Sequence, residues 1–231
     1  MRRGIGKTKH RLRELLNEDR PLIKVCGMFT DDDIRAVNKY HPDFCGFIIN
    51  VAQHPQKLSN MQMMHLSEAL NSDVMIVGVF GDAKLSAVAR IAQQHTIDAI
   101  QLYGNEDEAY IASLRHLTNI PIIKAFHVEG ESDIEAACAS SADLVLLDTR
   151  PTEHGKRMIE TELLKKMTRP YILAGGVNPS NVRKVYEEVH PAGFDMSGYV
   201  AGDQVLDITP IPVAVEAVRD LQDQPPLKMA R

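Results

Sequence analysis

Eight short apolar runs, each followed by a helix-patterned stretch, are what any fold of this chain must satisfy. The runs lie at 22–26 (LIKVC), 43–49 (DFCGFII), 74–80 (VMIVGVF), 98–102 (DAIQL), 121–126 (PIIKAF), 143–148 (DLVLLD), 171–175 (YILAG) and 193–197 (GFDMS). Short apolar runs bounded by polar residues read as buried strands. Between them, "DAKLSAVARIAQQH" puts Leu85, Val88, Ala89 and Ala92 on one helical face. "TDDDIRAVNKY" offers Thr30 as an N-cap, followed by three acids that suit a helix start. Five further stretches repeat the theme, ending with "PIPVAVEAVRDL". Strands alternating with helices imply a parallel sheet. Eight such units in a 231-residue chain predict an α/β fold, a (β/α)8 TIM barrel in a single domain over 21–222. A doubly wound open sheet is the runner-up. It usually needs fewer strands and often carries a glycine-rich first turn, which is absent after Cys26.

The ends stand apart from this pattern. Residues 1–20 carry seven Lys/Arg against three Asp/Glu, in a chain whose net charge is −5. Leu12, Leu15 and Leu16 have helical spacing, so the segment reads as a short surface helix or a disordered arm. A transit peptide, the other reading of an Arg-rich amphipathic start, should be richer in serine. Residues 223–231 read as a frayed tail. The acidic balance argues against nucleic acid, whose binders usually show a basic face. No apolar run reaches the roughly 18 residues that suggest a membrane span. Cys26, Cys45 and Cys138 lack metal-ligand spacing. Their odd number and the lack of a signal peptide point to a reducing cytoplasm.

A barrel of this kind carries its catalytic groups at the C-terminal ends of its strands. Asp148 closes the sixth run and Cys26 the first. Side chains alternate along a strand, so Lys24 and Cys26 share a face, as do Leu144, Leu146 and Asp148. A lysine facing the helices would be costly, which turns Lys24 and therefore Cys26 inward. The cation would then favour a thiolate. The plainer readings are an inert buried thiol and a turn-forming aspartate. Asp195 reads as a partner for Lys24. The seventh and eighth runs end in Gly175-Gly176 and Ser197-Gly198, with a helix opening near Pro179 and Ser180. Glycines there let backbone N–H groups approach an anion, and this is a frequent phosphate site in such barrels. Met61 and Met64 read as core packing or helix–barrel contacts. His54 and His154 read first as solvated loop residues, with ligand contact as the alternative, and Cys45 and Cys138 as inert buried thiols.

The segments "IKVCGM", "VGVF", "IDAIQLYG", "PIIKAF", "LLDT", "ILAGGVNPSNV" and "DMSGYVAG" occur in that order. In them the chain resembles the phosphoribosylanthranilate isomerase family of tryptophan biosynthesis, over residues 21 to about 218. The resemblance implies an isomerase, an intramolecular oxidoreductase of the aldose–ketose type. It would catalyse the Amadori rearrangement of N-(5-phosphoribosyl)anthranilate to 1-(2-carboxyphenylamino)-1-deoxyribulose 5-phosphate. Cys26 would be the general base and Asp148 the general acid. Gly175, Gly176, Ser197 and Gly198 would hold the phosphate, and Gln56, Lys57 and Tyr103 would line the substrate. No metal or organic cofactor is implied. The partner is a small phosphoribosyl substrate, not nucleic acid or membrane, for a cytoplasmic monomer or homodimer. Three positions depart from the family's pattern. Gln56 stands where an arginine usually grips the anthranilate carboxylate, and neighbouring Lys57 lacks the guanidinium fork. Tyr103 replaces a histidine, and "TEHG" at 152–155 replaces a glycine-rich turn. These changes motivate a second reading, a non-catalytic or substrate-shifted phosphosugar-binding barrel of the same descent.

Overall fold

The computed structural model describes residues 5–51, 54–149, 151–152, 155–156, 158–196, 199–201, 204–206 and 210–221. In chain order the elements begin α1 (Ile5–Leu16), β1 (Leu22–Cys26), α2 (Asp31–Tyr40), β2 (Phe44–Asn50), α3 (Asn60–Ala69) and β3 (Met75–Phe80). Next come α4 (Leu85–Gln93), β4 (Ala99–Leu102), α5 (Glu108–Arg115), β5 (Ile122–His127), α6 (Glu131–Ala139) and β6 (Leu144–Asp148). After β7 (Pro151–Thr152) and β8 (Gly155–Lys156) follow α7 (Thr161–Leu164), β9 (Tyr171–Leu173), α8 (Val182–Val189) and β10 (Gly193–Asp195). The series ends with β11 (Tyr199–Ala201), β12 (Gln204–Leu206) and α9 (Ile211–Arg219). Eight strands close into one barrel in the order β1-β10-β9-β6-β5-β4-β3-β2. All neighbouring pairs in it are parallel.

The eight expected strands are these eight, with ends shifted by a residue or two. The largest shifts are at β9 and β10, which stop at Leu173 and Asp195. After β9 the chain turns at Gly175 and Gly176, whose φ values of 69° and 70° leave the extended region. Helix α8 starts at Val182, later than expected. Asn178 and Asn181 cross-bond first: the Asn178 N–H donates to Asn181 Oδ1 at 2.8 Å, and the Ser180 N–H to Asn178 Oδ1 at 2.9 Å. Two small antiparallel hairpins, β7–β8 and β11–β12, follow β6 and β10. Strands of two or three residues show no periodicity that a sequence pattern can reveal.

Alternation of side chains sorts the core into two shells. The inward set includes Leu22, Phe44, Met75, Val77, Ala99, Ile123, Ala125, Leu144, Leu146, Ile172 and Ala174. The outward set, including Val25, Phe47, Ile100, Leu147 and Phe194, packs against the helices. The strand starts are held by a recurring device. Asp43, Asp98 and Asp143 each accept a backbone N–H from the preceding strand, from Ile23, Ile76 and Ile122 respectively, at 2.8 Å in every case. Arg20 in turn donates to both oxygens of Asp43, at 2.8 and 2.6 Å.

The basic N-terminal segment forms α1 and is anchored. Leu12 and Leu15 are 3% and 1% exposed and join the inward cluster beside Leu22, Phe44 and Met75, the first residues of their strands. The helix therefore closes the N-terminal mouth of the barrel, opposite the rim that carries Cys26 and Asp148. Leu15→Ala should destabilise the fold by about 2–4 kcal/mol, through lost burial plus a cavity. Urea unfolding checks this, and a change below about 0.5 kcal/mol would contradict the plug.

Met61 and Met64 are not core residues: they are 83% and 45% exposed. The capping box of Ser59 with Gln62 sets the phase of α3, which turns Met63 and Leu66 inward instead. The Thr30 cap is present as expected, again as a capping box with Asp33. Cys45 is buried, whereas Cys138 is only partly so and packs near Met167. Among the described residues, no helix is long and apolar enough to cross a membrane.

Candidate active site

The first rim group grows out of β1. Lys24 is 1% exposed, and its ammonium donates to Asp195 Oδ2 at 2.5 Å across the β1–β10 register. Burial opposes the lysine's charge, but Asp195, helped by Cys26, holds its pKa above the ordinary ammonium range. Cys26, two residues on, points the same way. Burial pushes its thiol pKa up, and the Lys24 charge pulls it part of the way back. The thiol has room because Gly46 is its register partner on β2. A Cβ on Gly46 would lie 2.4 Å from Cys26 Sγ. Gly46 was not among the expected site residues. The glycine inside "DFCGF" was the available signal, since strand glycines mark close approach.

The second group is Asp148 at the end of β6, 2% exposed. The Thr149 backbone N–H donates to its Oδ1 at 2.7 Å, and the Tyr103 hydroxyl donates to its Oδ2 at 2.9 Å. Gly175 lies against the same carboxylate: a Cβ there would meet Asp148 Oδ1 at 2.5 Å and Thr149 Oγ1 at 2.7 Å. Gly175 thus makes room for the acid. Burial raises the Tyr103 pKa above the phenol range, and the charges of Asp148, Asp195 and Cys26 add to it. The thiol and the carboxyl group therefore belong to one electrostatic neighbourhood. His127, at the end of β5 and in register with Asp148, packs edge-on against the Tyr103 ring at 4.8 Å. Parity with Ile123 and Ala125 would have found it, had the fifth run been carried one residue further.

The loop beyond Tyr103 is braced from outside the barrel. Buried Lys124 donates to the Gly104 carbonyl at 2.6 Å and lies 3.6 Å from Glu106 Oε2. Glu106 Oε1 accepts the Asp82 N–H at 2.7 Å, tying the loops after β3 and β4 together.

The remaining candidates divide. Gln56 reaches the site: its Oε1 lies 2.6 Å from where a Cβ on Gly27, next to Cys26, would stand. Lys57 is exposed. His54 is partly buried and its Nδ1 accepts the Gln56 N–H at 3.2 Å, so it supports that turn. The Gly176 carbonyl accepts from Asn181 Nδ2 at 2.7 Å, which fixes the turn before α8. Ser197, Gly198 and His154 lie outside the described residues. Among the described residues no cluster of three or more His, Cys, Asp or Glu is arranged to hold a metal ion.

A closed parallel barrel of alternating strands and helices, with polar groups gathered on its C-terminal rim, places the chain among the (β/α)8 barrels, whose enzymes carry their active sites on that rim. The family model for N-(5'phosphoribosyl)anthranilate (PRA) isomerase matches residues 23–216, and this chain belongs to that family. The N-(5'-phosphoribosyl)anthranilate isomerase of Endomicrobium trichonymphae is 32% identical over 204 residues, covering 87% of this chain and 100% of that protein. That of Clostridium kluyveri is 32% identical over 202 residues, covering 87% and 98%. The crystal structure of phosphoribosyl anthranilate isomerase from Thermotoga maritima superposes with a TM-score of 0.75 at 24% identity, over 88% of this chain and 100% of that one. A further structure of a phosphoribosyl anthranilate isomerase, solved with reduced 1-(o-carboxyphenylamino)-1-deoxyribulose 5-phosphate, gives a TM-score of 0.71 at 24% identity, covering 88% of this chain and 100% of that one. The chain is accordingly an isomerase of the aldose–ketose type, and its setting is tryptophan biosynthesis.

Proposed function

We propose that Cys26 and Asp148 are the base and the acid with which this chain rearranges N-(5-phosphoribosyl)anthranilate. The Asp148 carboxyl proton goes to the furanose ring oxygen as the C1–O bond breaks, and the anilino nitrogen lone pair forms C1=N. The Cys26 thiolate then takes the proton from C2, the C2–H electron pair becomes the C1=C2 bond of an enolamine, and the C1=N π pair returns to nitrogen. Tautomerisation yields 1-(2-carboxyphenylamino)-1-deoxyribulose 5-phosphate. The observation that carries this reading is that Cys26 and Asp148 end β1 and β6 at the same rim of one closed parallel barrel, in a chain of the isomerase family. Two groups in different environments suit an acid–base division. The turn at Gly175-Gly176 before α8, with Ser197 and Gly198, is the proposed phosphate end. Gln56 and Lys57 are the proposed aromatic end. The ligand is a small phosphoribosyl compound, and the setting a cytoplasmic monomer or homodimer.

Growth rescue of a tryptophan auxotroph lacking this isomerase tests the reading, together with steady-state turnover of the purified protein. Absence of both would favour the binding-barrel reading, which no observation on this chain otherwise supports. The aromatic end gives its own expectation. A neutral amide holds a carboxylate less firmly than a bidentate guanidinium, and the exposed Lys57 does not point to compensation. Gln56→Arg should lower KM about tenfold, the equivalent of ~1.4 kcal/mol. Kinetics at matched ionic strength check this, and an unchanged or raised KM would assign the carboxylate to another group.

A further inference from the structure

The hydrogen bond from Tyr103 to Asp148 is the feature of this site that the acid–base scheme does not use. We propose that Tyr103 is a positioning residue for the general acid: its hydroxyl holds the Asp148 carboxyl group and stabilises the carboxylate left behind when the proton is delivered. This inference rests on the reading under Proposed function and deepens it.

The geometry leaves Asp148 little freedom. One oxygen accepts the Thr149 N–H at 2.7 Å and lies against Gly175, where a Cβ would not fit, and the other receives the Tyr103 hydroxyl at 2.9 Å. The carboxyl plane is thereby fixed from both sides. Tyr103 is itself held, since His127 packs edge-on against its ring at 4.8 Å and His127 Nε2 lies 3.3 Å from the Tyr103 carbonyl. The Tyr103 N–H donates to the Phe80 carbonyl at 2.7 Å, fixing its backbone beside β3.

The chemistry gives the bond its use. As the acid works, its O–H bond breaks, the proton leaves for the ring oxygen, and the electron pair stays on the carboxylate. Negative charge thus develops on Asp148 in the transition state. A hydrogen bond from a fixed donor strengthens as its acceptor gains charge, so Tyr103 favours the transition state over the ground state. Burial keeps the phenol protonated, so it remains a donor throughout. Tyr103 makes no covalent change and gives up no proton.

Among the described residues, the titratable groups around this pair are His127 on β5, Cys26 and Lys24 on β1, and Asp195 on β10. Tyr103→Phe leaves all of these in place and keeps the ring that packs against His127. Loss of the transition-state hydrogen bond should lower kcat about 10–100-fold, while KM moves less than about threefold. In the Asp148→Asn background, where no carboxyl proton is delivered, adding Tyr103→Phe should lower kcat little further, because a positioning residue has nothing left to act on. A raised KM with kcat unchanged would make Tyr103 a substrate contact and overturn the proposal. A fully additive loss in the double variant would overturn it as well. A wild type that does not turn over phosphoribosylanthranilate would overturn the functional reading, and the acid's positioning role with it. An active wild type with unchanged kcat in Tyr103→Phe would remove the positioning role alone.

Discussion

Cys26→Ser is expected to lower kcat by about 10²–10⁴-fold, the usual contribution of a positioned acid or base. A serine hydroxyl is almost entirely protonated at any pH the fold tolerates, so it offers no base. The exchange removes little volume, and Gly46 leaves the same space for the smaller oxygen. Circular dichroism and thermal unfolding should therefore stay close to wild type. In the wild-type protein the base must be ionised. Burial raises the thiol pKa and Lys24 opposes that rise, so activity should increase with pH through an ascending limb set by this thiol. In Cys26→Ser that limb should vanish along with the activity. Near-wild-type turnover in the serine variant would remove Cys26 from the mechanism, whatever its position.

Asp148→Asn should reduce kcat by a similar factor of about 10²–10⁴, for a different reason. The amide is isosteric, so Gly175 still fits beneath it. Its carbonyl can still accept the Thr149 N–H, and the Tyr103 hydroxyl can rotate to accept from its NH₂. What is lost is the carboxyl proton. The ring oxygen would then have to leave without protonation. If substrate affinity stays within a few-fold while turnover falls, the residue acts in the transition state and not in binding. A variant that retains most of its turnover would show that another group opens the ring.

The architecture was legible because both of its periods are local. Alternation at two and 3.6 residues is written in each segment, and eight repeats leave few topologies that bury them all. Thr30 shows the same locality: a cap acts on backbone within the first turn that follows it, so the N-cap could be read directly, while its reciprocal bond from Asp33 came from the structure. Parity also turned Lys24 and Cys26 inward, and Asp195 as the partner of Lys24 followed from the cost of burying a lone charge. The methionines of α3 failed because helical spacing alone does not fix phase. Met61 and Met64 are spaced correctly, but the cap at Ser59 turns Met63 and Leu66 inward.

What the sequence by itself determined was the eight barrel strands with the helices between them, their parallel arrangement and the two rim residues that end β1 and β6. Those follow from interactions within a few residues, or from the requirement that every strand bury its apolar face. Tertiary structure alone decided which groups meet across the barrel. Closure sets Gly46 against Cys26, Gly175 against Asp148, and Tyr103 in hydrogen-bonding reach of a carboxylate 45 residues away. It also set Leu12 and Leu15 of α1 against the strand starts, where a free amphipathic helix could equally have remained on the surface. Contacts of that kind depend on register and strand tilt around a closed ring. No single segment encodes them, because each is fixed only when all eight strands have paired.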